Sequence, residues 1–344
     1  AELFYRFDKE LFVDTLGLNP PQLPDDMTFA DLEPYLEAGK EAYEDGVIGP
    51  EGEYPLMLRS GGFPGLDGNF DWINRDALLG IPYSAVGTAE SDQIVVAIEH
   101  PDMMNRWRTL HEWFQAGYIN RDAATITDLP TYSPIKIGQG FYGADAIWTG
   151  ADGYVQVISR WQGPYLSTSS IRGSMNAISA DSPHIEAALL YQELVNTNQE
   201  YRDILRYGIE GTHWNPAGNG LVQSTDVGRQ RYRPWPFSQG SYSLSSVEAA
   251  EGVEVDPNMW QVIFDGYEDL VATNTIGFAF DIASVESQVA AISVIKDKYW
   301  AGLMTGTLDP DETVPDFIDE LEAAGIRDVQ AEAQRQFDEF LASR

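Results

Sequence analysis

The chain has 344 residues, 43% of them hydrophobic, enough to bury a full core and to divide into two lobes. With 54 acidic against 21 basic side chains the formal charge is -33, a field that repels phosphate backbones and anionic headgroups and excludes nucleic-acid or membrane-surface binding by charge. The lack of cysteine removes disulfides, thiolate metal sites and cysteine nucleophiles, and no apolar run approaches the ~20 residues of a membrane helix.

In chain order, residues 1–7 (AELFYRF) read as a strand, and the opening on Ala1 without a signal peptide reads as processed or trimmed. Thr28 can cap a helix whose apolar face is Phe29, Leu32, Leu36 and Tyr43. Leu56–Leu58 reads as a short strand and the following SGGFPGLDGNF as a loop. A helix is predicted from Pro101 to Ala116, with Met104, Trp107, Leu110 and Phe114 inward and Gly117 as its stop. From Gly140 the pattern suggests an extended run (GFYGADAIWTG), RGSMNAI reads as another strand, and Asp181-Ser-Pro opens a helix through Val195. Residues 211–245, rich in Gly, Pro, Asn, Trp and Tyr, read as a long structured loop, a kind of segment that tends to be functional. Helices over Val285–Trp300 and Ile326–Leu341 close the chain, separated by the acidic LDPDETVPD. Short strands mixed with helices give an α/β protein.

Several chemistries lack their residues. The four histidines (His100, His111, His184, His213) never stand at zinc-ligand spacing, and the G-x-S-x-G elbow, the Walker loop and the strand-borne G-x-G-x-x-G are missing. Asp67, Asn69 and Asp71 imitate the start of a calcium loop, but Trp72 and Leu78 occupy the positions that need Gly and Glu, so the stretch reads as a solvated turn. No catalytic residue, metal site or cofactor is assigned. A glycosidase pair is a matter of spacing in three dimensions and stays open among 54 carboxylates.

What remains is aromatic. Sugars pack their C–H faces on indole and phenol rings while Asp, Asn and Arg fix the hydroxyls. Trp72, Trp148, Trp214 and Trp235 lie in or beside Gly/Pro/Asn-rich breaks and are candidates for this work, whereas Trp107, Trp113 and Trp300 sit on helices and read as core.

The stretch FYRFDKELFVDTLGLNPPQLPDDMTFADLEPYLEAGKEA resembles a passage of bacterial solute-binding proteins, in which a strand crossing between lobes runs through "Gly-Leu, Pro-Pro, Thr" into a helix. A second passage is more specific. Ile171-Arg172-Gly173-Ser174-Met175, Leu194-Val195-Asn196-Thr197-Asn198 and Tyr207-Gly208-Ile209-Glu210-Gly211 with His213-Trp214 resemble the hallmark of the lipoprotein-type sugar-binding subfamily. Gly277-Phe278-Ala279-Phe280-Asp281 and the closing AGIRDVQAEAQRQ agree with it, so the resemblance spans essentially the whole chain.

That resemblance implies a two-lobed, periplasmic-binding-protein-like (maltose-binding-like) α/β fold with crossing hinge strands, and ligand held between the lobes. It places 6–165 with 276–344 in the second lobe and 166–275 in the first, with 1–5 as a hinge-crossing strand. Members begin with a further strand–helix segment, so that segment is expected to be missing here and 166–275 to show an exposed apolar face or sheet edge. Pocket residues carried over are Asp152, after the expected strand at 146–149, Arg172 and Ser174 on the return passage, and Phe280 with Asp281 at the start of the closing helix. Trp72 and Trp214 join them as stacking candidates, and Phe63, Trp148, Trp235 and Phe278 as secondary ones. The alternative for Arg172 is a lobe-bridging salt bridge.

The function so implied is an extracellular receptor, lipid-anchored to a bacterial envelope, which captures a carbohydrate, an oligosaccharide by preference. As a monomer it would pass that sugar to the permease subunits of an ABC transporter. A carbohydrate-active enzyme (glycosidase or lyase) and a same-fold receptor for a peptide or other non-sugar solute are the alternatives.

Overall fold

The alternating pattern of ELFYRFD forms a strand as expected, β1 (Glu2–Asp8), and a π-helical segment follows over Glu10–Thr15. The structure is a computed structural model that describes residues 2–22, 26–173, 175–232, 240, 242–268, 270 and 272–344. After β1 come α1 (Glu33–Glu44), β2 (Phe70–Asn74), β3 (Leu79–Pro82), β4 (Val95–Val96), α2 (Pro101–Gln115) and β5 (Ile135–Gly140). Then follow α3 (Ala144–Asp152), β6 (Gln156–Gln162), α4 (Thr168–Ile171), α5 (Ile185–Thr197) and α6 (Gln199–Tyr207). Further on are β7 (Trp214–Gly218), β8 (Leu221–Ser224), α7 (Asp226–Arg231), β9 (Val247–Glu248) and α8 (Met259–Asp265). The chain closes with α9 (Glu286–Met304), α10 (Pro310–Ala323) and α11 (Ile326–Ala342). The class is α/β.

Two compact units result: Ala1–Gly140 with Val157–Arg172 and Asp269–Arg344, and Phe141–Gln156 with Gly173–Glu268. These boundaries are not those of the sequence division. Strand β1 lies within the first unit, antiparallel to β5 with Phe4 opposite Gly138. Residues 141–156 group with the second unit, where α3 is packed so closely on α8 that a Cβ on Gly143 would lie 2.8 Å from Met259 Sδ.

In the first unit β1 is the middle strand of the sheet β5-β1-β6, and β2-β3-β4 form a second, antiparallel sheet. The core is aromatic: Tyr5, Phe7, Phe12, Phe63, Trp107 and Trp113 are all fully buried in one cluster with Trp161. Helix α2 supplies Met103, Trp107, Leu110 and Trp113, a stripe at helical spacing, with Pro101 at its first position and His100 Nδ1 accepting from the Asp102 N–H. The two tryptophans are core, as read; Trp300 is half-buried against the same cluster.

Three local expectations need correction. LDPDETVPD is the start of a helix, not a spacer: Asp309 caps α10 by accepting from the Asp311 N–H (2.9 Å), Pro310 takes the first position, and Val314, Phe317 and Leu321 line one buried face. The run at 146–149 is part of helix α3, flanked by Gly143 and Gly153 at φ 85° and 82°, with the strand β5 ahead of it. Leu56 makes only isolated bridges, to Ile119 and Ile135, and the described residues of RGSMNAI form no strand.

The second unit carries the pair α5–α6, the small sheet β7-β8-β9 and α7 and α8. Only Val195 of α5 is buried, while Leu189 and Leu190 are 56% and 55% exposed and Met175, ahead of them, 75%.

Candidate ligand-binding site

The stretch 67–72 is not the solvated turn its polarity suggests. Asp67, Asn69 and Asp71 are all buried. Asp67 is held by Arg75 (Oδ2–Nη2 2.8 Å), yet burial outweighs that cation and pushes its carboxyl above the usual range. Asp71 Oδ2 accepts from Thr275 Oγ1 (2.5 Å), which also lies 2.9 Å from Thr273 Oγ1. Thr168 extends this network, donating to Thr275 O (2.7 Å) and accepting from the Gly277 N–H (2.9 Å). Three separate segments of the first unit are thereby pinned together.

Trp72 stands on β2 opposite Gly80. Its Nε1 donates to Asp67 O (3.0 Å) and the Arg75 guanidinium lies 5.4 Å from the ring centroid, so the indole is half-buried and fixed in orientation. Next to the threonine network, Tyr83 and Tyr165 stack face to face, centroids 3.7 Å apart at 6°. Both are half-buried, and Tyr83 OH reaches Ser167 Oγ at 3.5 Å. Burial pushes the Tyr83 phenol up to about 12, against the opposing pull of that hydrogen bond. This pair escaped sequence reading; Pro82 before one tyrosine and Gly163-Pro164 before the other were the available signal.

Arg172 caps the end of α4, its N–H donating to Thr168 O (3.0 Å), and its side chain is exposed without an ion pair among the described residues. Phe280 and Asp281 precede α9 by several residues rather than opening it. Phe280 packs half-buried on the core. The exposed Asp281 has its backbone clamped by the Gln336 carboxamide (2.9 Å at both N and O), while its Oδ1 accepts from the Ala283 N–H (3.0 Å). Phe63 and Phe278 are core rings: Phe63 is fully buried, and Phe278 sits 5.0 Å from Phe337.

In the second unit Trp214 begins β7, half-buried, with Nε1 donating to Gly208 O (3.1 Å). The Tyr-Gly-Ile-Glu-Gly motif explains itself here. Gly208 has φ 84°, and a Cβ there would strike His213 Nδ1 at 2.6 Å; that nitrogen accepts from the Ile209 N–H (2.9 Å). His213 is therefore a local strut, its ring stacked 5.0 Å from Tyr232. Asn198 likewise is the cap of α6, accepting from the Tyr201 N–H (2.8 Å). Asp152 ends α3 and accepts from Gln156 Nε2 (2.9 Å), which also donates to the carbonyl of half-buried Trp148 (3.4 Å). Ser174 and Trp235 lie outside the described residues.

Trp72, Arg172, Phe280 and Asp281 thus belong to the first unit, and Asp152, Trp148 and Trp214 to the second. Among the described residues no group of His, Asp and Glu is arranged to hold a metal ion. Rings held half-buried in one orientation, as Trp72 and Trp214 each are, can pack on the apolar faces of a polar ligand.

A family model described as a domain of unknown function, DUF3502, matches residues 274–342. A carbohydrate ABC transporter substrate-binding protein of Streptococcus pneumoniae serotype 4 (strain ATCC BAA-334 / TIGR4) is 24% identical over 332 residues, 92% of this chain and 63% of that protein. The chain therefore spans less than two thirds of the length of that relative. The crystal structure of the N-glycan transport solute binding protein (NgtS) from Streptococcus pneumoniae in complex with Man5GlcNAc matches with TM-score 0.80 at 22% identity, over 100% of this chain and 73% of the other. The ABC-transporter substrate binding protein FusA of S. pneumoniae in complex with kestose matches with TM-score 0.50 at 14% identity, again over 100% and 73%. The fold of this chain is that of the two-domain solute-binding proteins.

Proposed function

We propose that the protein is an extracellular solute-binding receptor that captures an oligosaccharide and delivers it to the permease subunits of an ABC transporter. The observation that carries this reading is the match over the whole chain, at TM-score 0.80, to a solute-binding protein crystallised with Man5GlcNAc. A curated relative named as a carbohydrate transporter component supports it, and so do the fixed, half-buried Trp72 and Trp214 rings. Fragments containing mannose and N-acetylglucosamine are the first ligands to try. In this reading Trp72, Trp214 and Phe280 stack on sugar, Asp152, Arg172, Ser174 and Asp281 hold hydroxyls, and the protein is tethered at a bacterial envelope as a single chain. Binding proceeds without turnover.

A thermal-shift panel of mono- and oligosaccharides tests the proposal, since a ligand that binds only the folded chain raises its melting temperature by mass action. One or more oligosaccharides should raise it, and chromatography of the same mixtures should return the sugar intact. Cleaved sugar would favour the enzyme alternative; a flat panel that responds only to peptides would favour the non-sugar receptor.

A further inference from the structure

Asp67 holds Trp72 in two ways at once. Its carbonyl oxygen accepts from the indole Nε1 (3.0 Å), and its carboxylate Oδ2 holds Arg75 Nη2 (2.8 Å). The Arg75 guanidinium in turn lies 5.4 Å from the centroid of the same indole. Three residues thus close a circuit in which the Asp67 main chain fixes the N–H edge of the ring, its carboxylate fixes Arg75, and Arg75 covers a ring face. The Cε3 edge is bounded as well: a Cβ on Gly80 would lie 3.6 Å from that atom, and the Phe70 ring stands 5.7 Å away, tilted by 46°.

A purely structural task does not need a charge at 67. The Asp67 side chain is 9% exposed and that of Arg75 59%. A carboxylate so enclosed loses the water that would stabilise its charge, whereas a neutral side chain would leave the bond from indole to carbonyl untouched. Three cations act on it, namely Arg75, Arg106 on α2 and Lys296 on α9. Among the described residues only Arg75 pairs with it. Arg106 Nη1 donates to Leu66 O (2.7 Å), Lys296 Nζ holds Asp76 (2.8 Å), and the neighbouring carboxylate of Asp71 is taken up by Thr275. Burial outweighs all three cations and keeps the Asp67 carboxyl above the ordinary 3.8.

We propose that Asp67 and Arg75 are positioning residues for Trp72, a clamp that holds the indole in the orientation in which it stacks on ligand. The bearing on sugar rests on the receptor reading; the clamp itself does not. Protonation of Asp67 keeps the bond from indole to carbonyl but releases Arg75 from its ion pair. The clamp is therefore whole at neutral pH and is lost before the pH has fallen to 3.8.

Asp67→Asn keeps the shape and the carbonyl but cannot hold a cation by charge. It should melt at or above the parent temperature at neutral pH, since it removes a buried charge. It should nevertheless bind the oligosaccharide found in the thermal-shift panel roughly three- to tenfold more weakly. The parent's calorimetric affinity should fall by a similar factor as the pH drops from neutral towards 3.8, while that of Asp67→Asn stays flat. Arg75→Gln, at an exposed position, should weaken binding likewise, and the two substitutions together should do no more than either alone. In a Trp72→Ala background Asp67→Asn should have no effect, because its action runs through the ring. An equal loss in both backgrounds, or the parent's pH profile in Asp67→Asn, would overturn the proposal. Exchange of the Trp72 indole N–H with solvent, followed by NMR on the ligand-free protein at neutral pH, tests the clamp without sugar. Faster exchange in Asp67→Asn and Arg75→Gln than in the parent supports it even where no oligosaccharide binds, a result that would sink the receptor reading alone. Equal exchange in all three proteins would remove the clamp and leave the receptor reading standing.

Discussion

Tyr83 shows how one residue reports on its surroundings. Stacked on Tyr165 and partly sheltered from water, its phenol is pushed from the ordinary 10.0 to about 12. An unfolded chain would release that proton near the ordinary value while the folded chain still holds it. The associated stability is therefore whole below pH 10.0 and drains away as pH rises towards about 12. Tyr83→Phe keeps the stacked ring but has no proton to lose. Its melting temperature should fall less steeply than the parent's across that alkaline window, and parallel curves for the two proteins would contradict the assignment. Other single residues were read in the sequence for a ligand and prove to have local duties. Asp281 accepts from the Ala283 N–H, and Trp72 donates to Asp67 O. Such duties are invisible in a sequence because they depend on which backbone atom lies within reach.

At the scale of elements, the periodic ones were legible and the punctuated ones were not. Helices α2, α9 and α11 fall within a few residues of their expected limits, since apolar stripes at helical spacing survive any tertiary arrangement. Helix α10 was hidden by Pro310, Pro315 and a run of acids; the first proline is well placed at the first helical position and the acids favour the helix N-terminus. The strands β7 and β8 were lost in a glycine-rich stretch whose turn runs through Asn219 and Gly220, both at positive φ. The junction of α9 and α10 carries a direct test. Gly306 has φ 74°, and a Cβ there would lie 2.3 Å from Leu110 O on α2, a backbone atom that cannot step aside. Gly306→Ala should cost roughly 2 kcal/mol or more of stability, through both the strained backbone and the displaced helix. A denaturant midpoint equal to that of the parent would show that α2 and the junction can separate freely.

For the molecule as a whole, the α/β class and the solute-binding resemblance were legible because the RGSM, YGIEG and GFAFD passages are spread along the chain. Some of them prove to be structural signatures, Gly208 with His213 above all, which is why they mark a fold so well. Less legible were the unit boundaries: residues 141–156 join the second unit through α3 and Met259, a contact between segments more than a hundred residues apart. The candidate site was legible only as a list of rings and polar side chains, and the stacked pair Tyr83 and Tyr165 was not legible at all. The account stands on carbohydrate capture, and calorimetric titration of the parent protein and of Trp72→Ala, Trp214→Ala and Phe280→Ala, each with a melting curve, tests that most directly. The parent should bind one oligosaccharide per chain without cleaving it, and at least one variant should lose about 2 kcal/mol of binding, roughly thirtyfold in affinity, while melting close to the parent. No heat of binding from any oligosaccharide offered to the folded parent, or affinity unchanged in all three variants, would contradict it.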